Sequence, residues 1–454
     1  MSPRFTRQQL EKWDRQFVWH PFTQMKELEE TPSVIIKEGS GIHITDMEGR
    51  SYIDGVSSLW VNIHGHQHPT LDKALRQQIQ TISHSTLLGL SNPPAILLAR
   101  NLIQLAPPGL TKVFYSDDGS TAMEVALKMA SQYWQQRPKP QKAKKKFVHM
   151  GMAYHGDTAG DMSISGIDLF HSRFQNLIFS TYSFDSPHCY RCPLNKTFPS
   201  CQLACVDPLE ALLSKHHARI AGVIVEPMVQ AVAGMVTAPP GHLRRVRELC
   251  TQYDVLLIAD EVATGFGRTG RMFACEHEAV SPDLMAVAKG MTGGYVPLAA
   301  TLATDEIFNA FLGEYHEWKT FFHGHSYTGN PLGCVAALAN LEIFQKERTL
   351  QKLQPRIHSF HRLLQSLKQH PQVGDIRQCG YMAGIELVAN QQTRESFPLT
   401  DRIGHRVGLE ARKRGLLIRP IGNVLVLMPP LVAKVSDLRT MIRILSQSIQ
   451  ATFK

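Results

Sequence analysis

Three segments of this chain carry residue types that could act together in chemistry, and the first contains Asp260. This carboxylate follows the apolar run Val255–Ala259, so it would stand at the carboxyl end of a buried strand. Removing a carboxylate from water is costly, and the group therefore needs a partner. A cationic heterocycle would be such a partner, and a salt bridge within the protein is the alternative.

The second segment, Ser116–Glu124, has the features of a helix start. Gly119 permits a tight turn, and Thr121 with Glu124 has the spacing of a capping box. The free amides of Gly119, Ser120 and Thr121 would then form an anion site at the helix N-terminus. Taken alone, the segment is explained as well by a capped helix that binds nothing.

The third segment contains Lys289, which stands among small and apolar neighbours in Ala286–Gly290. Burial lowers the pKa of a lysine and makes its amine a nucleophile toward carbonyl groups. Most lysines are solvated surface residues, so this one in isolation would indicate no function.

Together the three segments predict a site for pyridoxal phosphate. The helix start would bind the phosphate, Asp260 would keep the pyridine nitrogen protonated, and Lys289 would hold the aldehyde covalently. A protonated ring can accept the electrons that are released when a Cα proton leaves the substrate. These are the parts that an enzyme of this kind needs.

An α/β block over about residues 110–335 would position these segments. Apolar runs that predict buried strands lie at 112–116, 146–150, 221–225 and 255–259. Amphipathic patterns that predict helices lie at 120–134 and 243–253. The alternation predicts a mostly parallel sheet with helices on both faces, and ligands bind at the carboxyl ends of such strands.

The flanking regions have a different pattern. Alternating residues at 34–54 predict a small antiparallel meander, and a long helix followed by short strands is predicted from Val335 onward. We therefore expect a large α/β domain at 65–335. A smaller discontinuous α+β domain would combine residues 1–64 with residues 336–454.

The composition excludes several classes of protein. With 454 residues, 43% hydrophobic and 19% charged, the chain is not disordered, collagen-like or a coiled coil. The longest uncharged stretch, Gln77–Ala99, is interrupted by polar residues and prolines and predicts no membrane span. The start of the chain, Met1–Arg7, has no apolar stretch and predicts no secretory signal.

Charge and cysteine content predict a cytoplasmic protein without nucleic-acid partners. Eight cysteines in a chain of this length do not form a disulfide scaffold, and we expect reduced thiols. The net charge of +9 is spread along the chain apart from a lysine run at 142–146. That run could bind nucleic acid, but it has no interleaved aromatic residues, and we expect a solvated loop.

Four cysteines form the one pattern that suggests a metal. Two and three residues separate the thiols within the pairs Cys189/Cys192 and Cys201/Cys205, which is a spacing typical of zinc ligands. The alternative is a set of reduced cysteines in a loop. The chemistry above requires no metal, so we assign none to the site.

The sequence resembles the class III aminotransferases of fold type I over nearly its whole length, and three segments carry the resemblance. They are Asp260–Gly270, Ala288–Gly294 and Tyr154–Thr158. Within that class, Trp19–Met25 and His323–Gly333 resemble the branch that aminates 8-amino-7-oxononanoate in biotin biosynthesis, usually with S-adenosylmethionine as donor. The resemblance implies that activity, pyridoxal 5′-phosphate as cofactor, and a homodimer.

The resemblance also implies a role for individual residues. Lys289 would hold the cofactor and move the proton between Cα and C4′, Asp260 would pair with the pyridine nitrogen, and Tyr154 would stack on the ring as the third catalytic residue. The implied cofactor-binding residues are Gly119, Ser120, Tyr154, Asp260, Lys289, His325 and Ser326. The implied substrate-binding residues are Phe22, Leu59, Trp60, Tyr154, Lys289, Gly324 and Arg419.

Among the implied roles, one requires a second subunit, and two residues have an alternative structural explanation. Ser326 would reach the phosphate from the partner in the dimer, and Arg419 would bind the substrate carboxylate through its planar guanidinium. Glu226 and Arg268 match further positions that line the site, or each makes a structural ion pair.

The amino donor stays open at this point. Phe22 stands where relatives that use S-adenosylmethionine commonly have tyrosine, Leu59 stands where they have tryptophan, and His325 replaces a common proline. We expect S-adenosylmethionine, with lysine as the alternative donor. Three further functions stay open: another ω-amino acid or polyamine:2-oxo acid transaminase, a cofactor-binding protein without turnover, and a basic scaffold.

Overall fold

The computed structural model describes residues 5–454 of the chain. Residues 1–4 lie outside the described residues. Two predictions rest partly on them, namely the absence of a secretory signal and the domain part at 1–64, and to that extent these predictions also lie outside the described residues.

The described residues contain strands that range from two residues to the nine of Met382–Asn390. They are β1 (Ile36–Ser40), β2 (His43–Asp46), β3 (Ser51–Asp54), β4 (Leu110–Ser116), β5 (Lys146–Met150), β6 (Tyr182–Phe184), β7 (Ile220–Val225), β8 (Val229–Gln230), β9 (Val236–Thr237), β10 (Leu256–Asp260), β11 (Leu284–Val287), β12 (Ala299–Thr304), β13 (Val373–Cys379), β14 (Met382–Asn390), β15 (Glu395–Ser396), β16 (Leu416–Leu417) and β17 (Val424–Leu427).

Helices connect and cover these strands. They are α1 (Arg7–Phe17), α2 (Glu27–Glu30), α3 (Ser57–Trp60), α4 (Pro69–Thr81), α5 (Pro93–Leu105), α6 (Gly119–Gln136), α7 (Ala159–Ser163), α8 (Asp168–His171), α9 (Asp207–His216), α10 (His242–Gln252), α11 (Asp305–Ala310), α12 (Pro331–Lys346), α13 (Thr349–Gln365), α14 (Ile403–Lys413) and α15 (Val435–Thr452).

The central sheet has seven strands in the order β4-β12-β11-β10-β7-β5-β6. All neighbours from β11 to β6 are parallel, and β12 runs antiparallel to both β11 and β4. The prediction of a mostly parallel sheet is therefore confirmed. Asp260 is the last residue of β10 rather than the residue after it, and β10 lies between β7 and β11.

Helices cover both faces of this sheet, as the apolar strands predict. Along β10, Leu257 and Ala259 pack into one hydrophobic cluster, whereas Leu256 and Ile258 pack into another. Alternate residues of a strand point to opposite faces. The first cluster also contains the apolar residues of α10, and the second contains those of α6, so the two helices lie on opposite faces.

The two flanking regions share a sheet. β1, β2 and β3 form the predicted antiparallel meander, and β16 from the C-terminal region adds to β3 in parallel. β13, β14 and β17 form a second antiparallel sheet. The boundary that we place between residues 335 and 336 falls inside α12.

The prediction of a solvated lysine loop at 142–146 is wrong for Lys144. Its side chain is only 1% exposed, and its amine lies 4.2 Å from the centre of the Trp134 ring. The amine donates to the carbonyl oxygen of Asp254. A lysine stem can bury against an aromatic ring when its charged end finds such partners, which the local sequence does not reveal.

Within residues 5–454, no helix combines the length and the apolar character that crossing a membrane would require.

Candidate active site

Asp260 occupies the carboxyl end of β10 and is 5% exposed. Its Oδ1 accepts a hydrogen bond from the amide of Val262 (2.9 Å), and its Oδ2 accepts one from His155 Nδ1 (2.7 Å). Within the described residues no lysine or arginine pairs with it, and the alternative of a salt bridge within the protein is limited to His155, which carries a charge only when protonated. The carboxylate is held in place by His155 but is not neutralised by a permanent cation.

His155 is a site residue that our residue-level predictions missed. Its imidazole is buried, and Nε2 has no hydrogen-bond partner in the described part of the chain. The only signal for it in the sequence is its place in Tyr154–Thr158, a segment used above for family resemblance alone.

Lys289 follows β11 closely and is half-buried near Asp260. Burial lowers the pKa of its amine, and the nearby negative charges of Asp260 and Glu226 oppose that shift. The amine lies 5.3 Å from the centre of the Trp60 ring. Lys289 has φ of 45°, a strained backbone conformation that non-glycine residues adopt mainly where the surrounding structure imposes it.

The anion site at the start of α6 differs in detail from the prediction. The helix begins at Gly119, and Asp118 is the N-cap: its side chain accepts from the amide of Thr121, whose hydroxyl completes the capping box. The predicted box of Thr121 with Glu124 is therefore wrong, because the helix starts earlier. Thr121 is not free to bind an anion, whereas the amides of Gly119 and Ser120 have no acceptor in residues 5–454.

Gly119 is required by a close approach of the chain. A Cβ at this position would lie 2.5 Å from Cγ1 of Val262, two residues beyond Asp260. The absence of a side chain therefore brings the first turn of α6 against the segment that follows β10. The free amides and Asp260 lie on neighbouring segments for this reason.

Tyr154 is half-buried and linked to the acidic groups of the site. Its amide donates to Glu226 Oε1 (3.2 Å) and its hydroxyl donates to Asp157 Oδ2 (2.8 Å). Burial, which is the largest cause, and the nearby carboxylates raise the pKa of the phenol. Burial also raises the pKa of Glu226 to about 7.

Arg268 forms no ion pair with a carboxylate of the described residues, but together with burial its charge lowers the pKa of Lys289, which agrees with a position near the site. The guanidinium is fully buried and donates to backbone carbonyls of Asn62 (2.8 Å) and Pro429 (2.9 Å), among others. Glu226 likewise accepts from backbone amides. Arg268 therefore fastens the residue 57–62 region to the segment after β17, and no carboxylate among the described residues forms an ion pair with it.

A cavity of about 750 Å³ opens beside Lys289. It brings together six of the predicted site residues, namely Phe22, Leu59, Trp60, Tyr154, Lys289 and Arg419. It also contains residues that sequence reasoning missed because their segments are far apart, namely Phe170, His188, Arg191, Arg377 and Glu386. The lining thus combines an apolar wall with several charged groups.

Arg419 is exposed and lies two residues beyond β16. The predicted strand-like context is therefore limited to Leu416–Leu417. No carboxylate among the described residues pairs with the Arg419 guanidinium. In contrast, Arg191 and Arg377 both donate to Glu386.

Leu59 and Trp60 lie on a left-handed turn. The four residues of α3 have φ values from 47° to 71°, which L-amino acids rarely adopt in succession. Hydrogen bonds hold the turn: Ser57 Oγ donates to the carbonyl of Met428 (2.6 Å), and Ser58 donates to Asp54 through its amide (2.9 Å) and hydroxyl (2.7 Å). The conformation places both side chains at the cavity.

The cavity does not contain Gly324, His325 or Ser326 of the same chain. They belong to a segment that we call the exposed segment (residues 314–328). Gly324 and Ser326 are exposed, and His325 Nδ1 lies 3.3 Å from Asp117 Oδ2. The structure of one chain therefore leaves this part of the predicted cofactor set outside the cavity.

The cysteines that suggested zinc border a separate small cavity of about 20 Å³, and all four are free thiols: Cys189, Cys192, Cys201 and Cys205. Burial raises the pKa of Cys189, and it raises that of Cys205 to about 11. Within residues 5–454, no group of three or more histidine, cysteine, aspartate or glutamate side chains is arranged to hold a metal ion. All four thiols nevertheless border the same cavity, and zinc binding by Cys189, Cys192, Cys201 and Cys205 stays a prediction.

Comparison with known proteins identifies the family. The model of the class III aminotransferases matches residues 24–449. Adenosylmethionine-8-amino-7-oxononanoate aminotransferase of Geobacter sulfurreducens is 50% identical over 448 residues, with 98% of each chain covered. The protein of the same name from Aquifex aeolicus is 51% identical over 442 residues, with 97% of each chain covered.

A solved structure agrees with these relatives. The crystal structure of the adenosylmethionine-8-amino-7-oxononanoate aminotransferase of Methanocaldococcus jannaschii superposes with a TM-score of 0.94 at 44% identity. It covers 98% of this chain and 99% of its own. This chain belongs to the class III aminotransferases.

Membership in this family confirms the predicted fold type I and the predicted cofactor. Class III aminotransferases are enzymes that use pyridoxal 5′-phosphate and act on small molecules. The alternatives of a cofactor-binding protein without turnover and of a basic scaffold are therefore set aside.

The residues of this aminotransferase fit the cofactor. The start of α6 offers two free amides in a place that a Cβ on Gly119 would close. Asp260 is an ordered carboxylate without a lysine or arginine partner in the described residues, so a pyridinium can pair with it. The buried amine of Lys289 shares the cavity with Tyr154.

Proposed function

We propose that this aminotransferase converts 8-amino-7-oxononanoate to 7,8-diaminononanoate in biotin biosynthesis, with S-adenosylmethionine as the amino donor. The observation that carries the proposal is the similarity, at about half of all positions and nearly full length, to proteins named for this reaction. The cavity beside Lys289 agrees with it, since an apolar wall and an unpaired arginine suit a fatty-acid-like substrate.

The proposed catalytic groups each hold or move a proton. When bound, pyridoxal 5′-phosphate supplies a ring that accepts the electrons left on Cα after proton loss. Asp260, oriented by His155, keeps a proton on the pyridine nitrogen, and that proton makes the ring electron-poor. Lys289 serves as the base and acid that moves the proton at Cα, because it is the lysine of the cavity and its pKa is lowered.

Binding of the substrates would depend on the cavity walls. Phe22, Leu59 and Trp60 offer apolar surface to the hydrocarbon chain of 8-amino-7-oxononanoate. Arg419 would bind the carboxylate at the far end of that chain through two parallel hydrogen bonds. Tyr154 would cover one face of the cofactor ring, fixed by its hydrogen bonds to Glu226 and Asp157.

The proposed working form is a cytoplasmic homodimer in which Gly324, His325 and Ser326 serve the partner's site. Large apolar side chains remain exposed on the single chain, including Trp19 (89%), Leu88 (90%) and Tyr327 (58%). A second subunit that covered these side chains would remove their apolar surface from water. Because Ser326 lies outside the cavity of its own chain, a role for it at the phosphate requires a second subunit.

The proposed domain organisation has a large domain at 65–335 and a small domain made of 1–64 and 336–454. The pairing of β3 with β16 supports the joining of the two terminal regions. Substrate would bind between the domains, since the cavity is lined by Lys289 of the large domain and Arg419 of the small one.

Lysine is the second candidate donor, because of two residues at the cavity. Phe22 and Leu59 give the wall neither a hydroxyl group nor a second indole, and S-adenosylmethionine carries a sulfonium that gains from aromatic faces. Trp60 still provides one such face.

A donor assay on the purified enzyme tests the proposed function. Formation of 7,8-diaminononanoate from 8-amino-7-oxononanoate is measured with S-adenosylmethionine and with lysine in separate reactions. We expect product with S-adenosylmethionine, and higher activity with it in the Phe22→Tyr/Leu59→Trp variant. Product with lysine alone would overturn the donor, and product with neither donor would overturn the proposed reaction.

A further inference from the structure

Asp161 is a buried carboxyl group that none of the roles above explains. It lies in α7, its side chain has no exposed surface, and neither carboxyl oxygen has a hydrogen-bond partner in the described residues. Burying an ionised carboxylate without partners is very costly. The group therefore needs either a different protonation state or a partner that arrives with the cofactor.

The surroundings of Asp161 carry negative charge. Glu124 on α6 accepts from the amide of Gly160 (2.7 Å), and Asp260 at the end of β10 adds a second carboxylate. The hydroxyls of Ser120 and Thr158 also face Asp161, but neither forms a well-aligned hydrogen bond with it. Burial first, and then Glu124, raises the pKa of Asp161 to about 9, so the group is a neutral acid at pH 7.

Asp161 lies directly behind the anion site at the start of α6. A Cβ on Gly156 would lie 2.1 Å from Ser120 Oγ and 2.3 Å from Asp161 Oδ2, so both oxygens border the same backbone atom. Glycine at 156 thus leaves the Ser120 hydroxyl and the Asp161 carboxyl on two sides of one small gap.

The Ser120 hydroxyl has a single proton to donate. A phosphate at neutral pH accepts hydrogen bonds, and an ionised Asp161 would compete with it for that proton. A neutral Asp161 carries its own proton and can donate it to Ser120 Oγ. The Ser120 proton is then available to the phosphate.

We propose that Asp161 is a positioning residue of the cofactor site: as a neutral acid it donates to Ser120 and directs the Ser120 hydroxyl toward the cofactor phosphate. It acts through Ser120 and has no part in proton transfer at the substrate. The inference rests on the proposed assignment of Gly119 and Ser120 to the phosphate.

Binding of pyridoxine 5′-phosphate to the full-length protein, after removal of its cofactor, tests this role. The probe has no aldehyde, so it forms no covalent bond with Lys289. Dissociation constants are measured by calorimetry from pH 7 to pH 10 for the wild type, Asp161→Asn, Asp161→Ala, Ser120→Ala and the double variant Ser120→Ala/Asp161→Asn. Asparagine is the matched control because its amide is neutral and donates a hydrogen bond at every pH.

At pH 7 we expect Asp161→Asn to bind within about threefold of the wild type, and Asp161→Ala to bind about tenfold more weakly. Between pH 7 and pH 10 the wild type should lose about tenfold more affinity than Asp161→Asn, because only the wild-type group ionises. Because the probe titrates in the same way with both proteins, the comparison of wild type with Asp161→Asn removes the contribution of the probe. In the Ser120→Ala background the difference between Asp161 and asparagine should vanish.

Two results would overturn the proposal. One is a pH profile of Asp161→Asn that runs parallel to that of the wild type, which a merely structural role predicts. The other is binding by Asp161→Asn as weak as by Asp161→Ala at pH 7. If Asp161→Ala does not fold, the pH comparison with Asp161→Asn decides alone.

The control Ser120→Ala separates this inference from the proposed function. Wild-type affinity in Ser120→Ala would overturn the inference by removing Ser120 from the phosphate site, while the reaction would still stand on the donor assay. Failure of the donor assay, in turn, leaves the binding measurement unchanged.

Discussion

The pKa values of acidic residues are shifted in opposite directions in two regions of this aminotransferase. At the carboxyl end of the central sheet, burial raises the pKa of Glu226 to about 7. In the exposed segment, a hydrogen bond from Lys319 lowers the pKa of Glu317. The loss of water decides the sign in the first region, and the partner charge decides it in the second.

Aromatic residues show the same contrast. Trp60, beside Lys289, is only 7% exposed, whereas Trp318 and Phe322 of the exposed segment are 61% and 68% exposed. The sheet end is thus buried by its own chain, and the exposed segment has no such cover. We infer that one chain builds the proton-handling part of the site alone and that a second chain completes the remainder.

The largest effect is expected from Lys289→Ala. Turnover should fall by at least about 10²–10⁴, because no other lysine lines the cavity to move the proton at Cα. Steady-state assays check the rate, and circular dichroism checks that the variant is folded. Lys142→Ala, in an exposed loop, is the control and should keep full activity. Near-normal turnover in Lys289→Ala would remove this lysine from the mechanism.

Asp260→Asn should be the next most damaging change. An asparagine keeps the shape but cannot hold a pyridinium, so the first half-reaction should slow by about 10²–10³ while cofactor stays bound. Stopped-flow absorbance measures the half-reaction, and a phosphate assay measures bound cofactor. An unchanged rate would mean that the carboxylate at the end of β10 is only structural.

Mixing of two inactive variants tests whether the exposed segment serves the partner. Lys289→Ala and Ser326→Glu are each expected to be nearly inactive. Random exchange of subunits would give hybrid dimers with one intact site, so the mixture should recover about one quarter of wild-type activity. No recovery, with exchange verified by mass spectrometry, would place Ser326 in its own chain's site, and full activity of Ser326→Glu alone would place it outside any site.

Arg419→Lys should change binding more than turnover. A lysine keeps the charge but loses the planar pair of hydrogen-bond donors, so the KM for 8-amino-7-oxononanoate should rise about tenfold with kcat little changed. Arg76→Lys, at an exposed position, is the matched control. Equal KM values for wild type and Arg419→Lys would assign the substrate carboxylate to another group.

The smallest effect is expected on stability, and it follows from the raised pKa of Glu226. Between pH 4.5 and pH 7, the folded protein holds a proton on Glu226 that the unfolded chain has released. Glu226 should therefore lower the free energy of unfolding as pH rises through this range, by up to about 3 kcal/mol, and its contribution should level off above pH 7. Asp161, whose pKa burial raises to about 9, adds a decline of its own that continues beyond pH 7.

Denaturant unfolding of the cofactor-free protein checks this pH dependence. The decline in Glu226→Gln should be smaller than in the wild type by the contribution of Glu226, because the amide does not titrate, whereas Glu317→Gln should keep the full decline. A decline of the same size in Glu226→Gln would assign the effect to other groups.

Local patterns were sufficient for most of the central fold. Strand β5 has the predicted bounds, β7 differs from prediction by one residue at its start, and β10 is shifted by one residue at both ends. The errors at the start of α6 and at Lys144 have one cause. Which residue caps a helix, and whether a lysine is covered, depends on neighbours that are not adjacent in sequence.

The amino-acid sequence by itself determined the strand-end carboxylate, the lysine among small residues and the glycine at a helix start, because apolar periodicity and turn chemistry act over a few residues. Only the tertiary structure decided that His155 holds Asp260, that Asp161 lies behind Ser120, and that residues 324–326 stay outside the cavity of their own chain. The contact of His155 with Asp260 joins residues 105 apart in the sequence. Such contacts follow from how the sheet brings its strand ends to one edge and removes water from them.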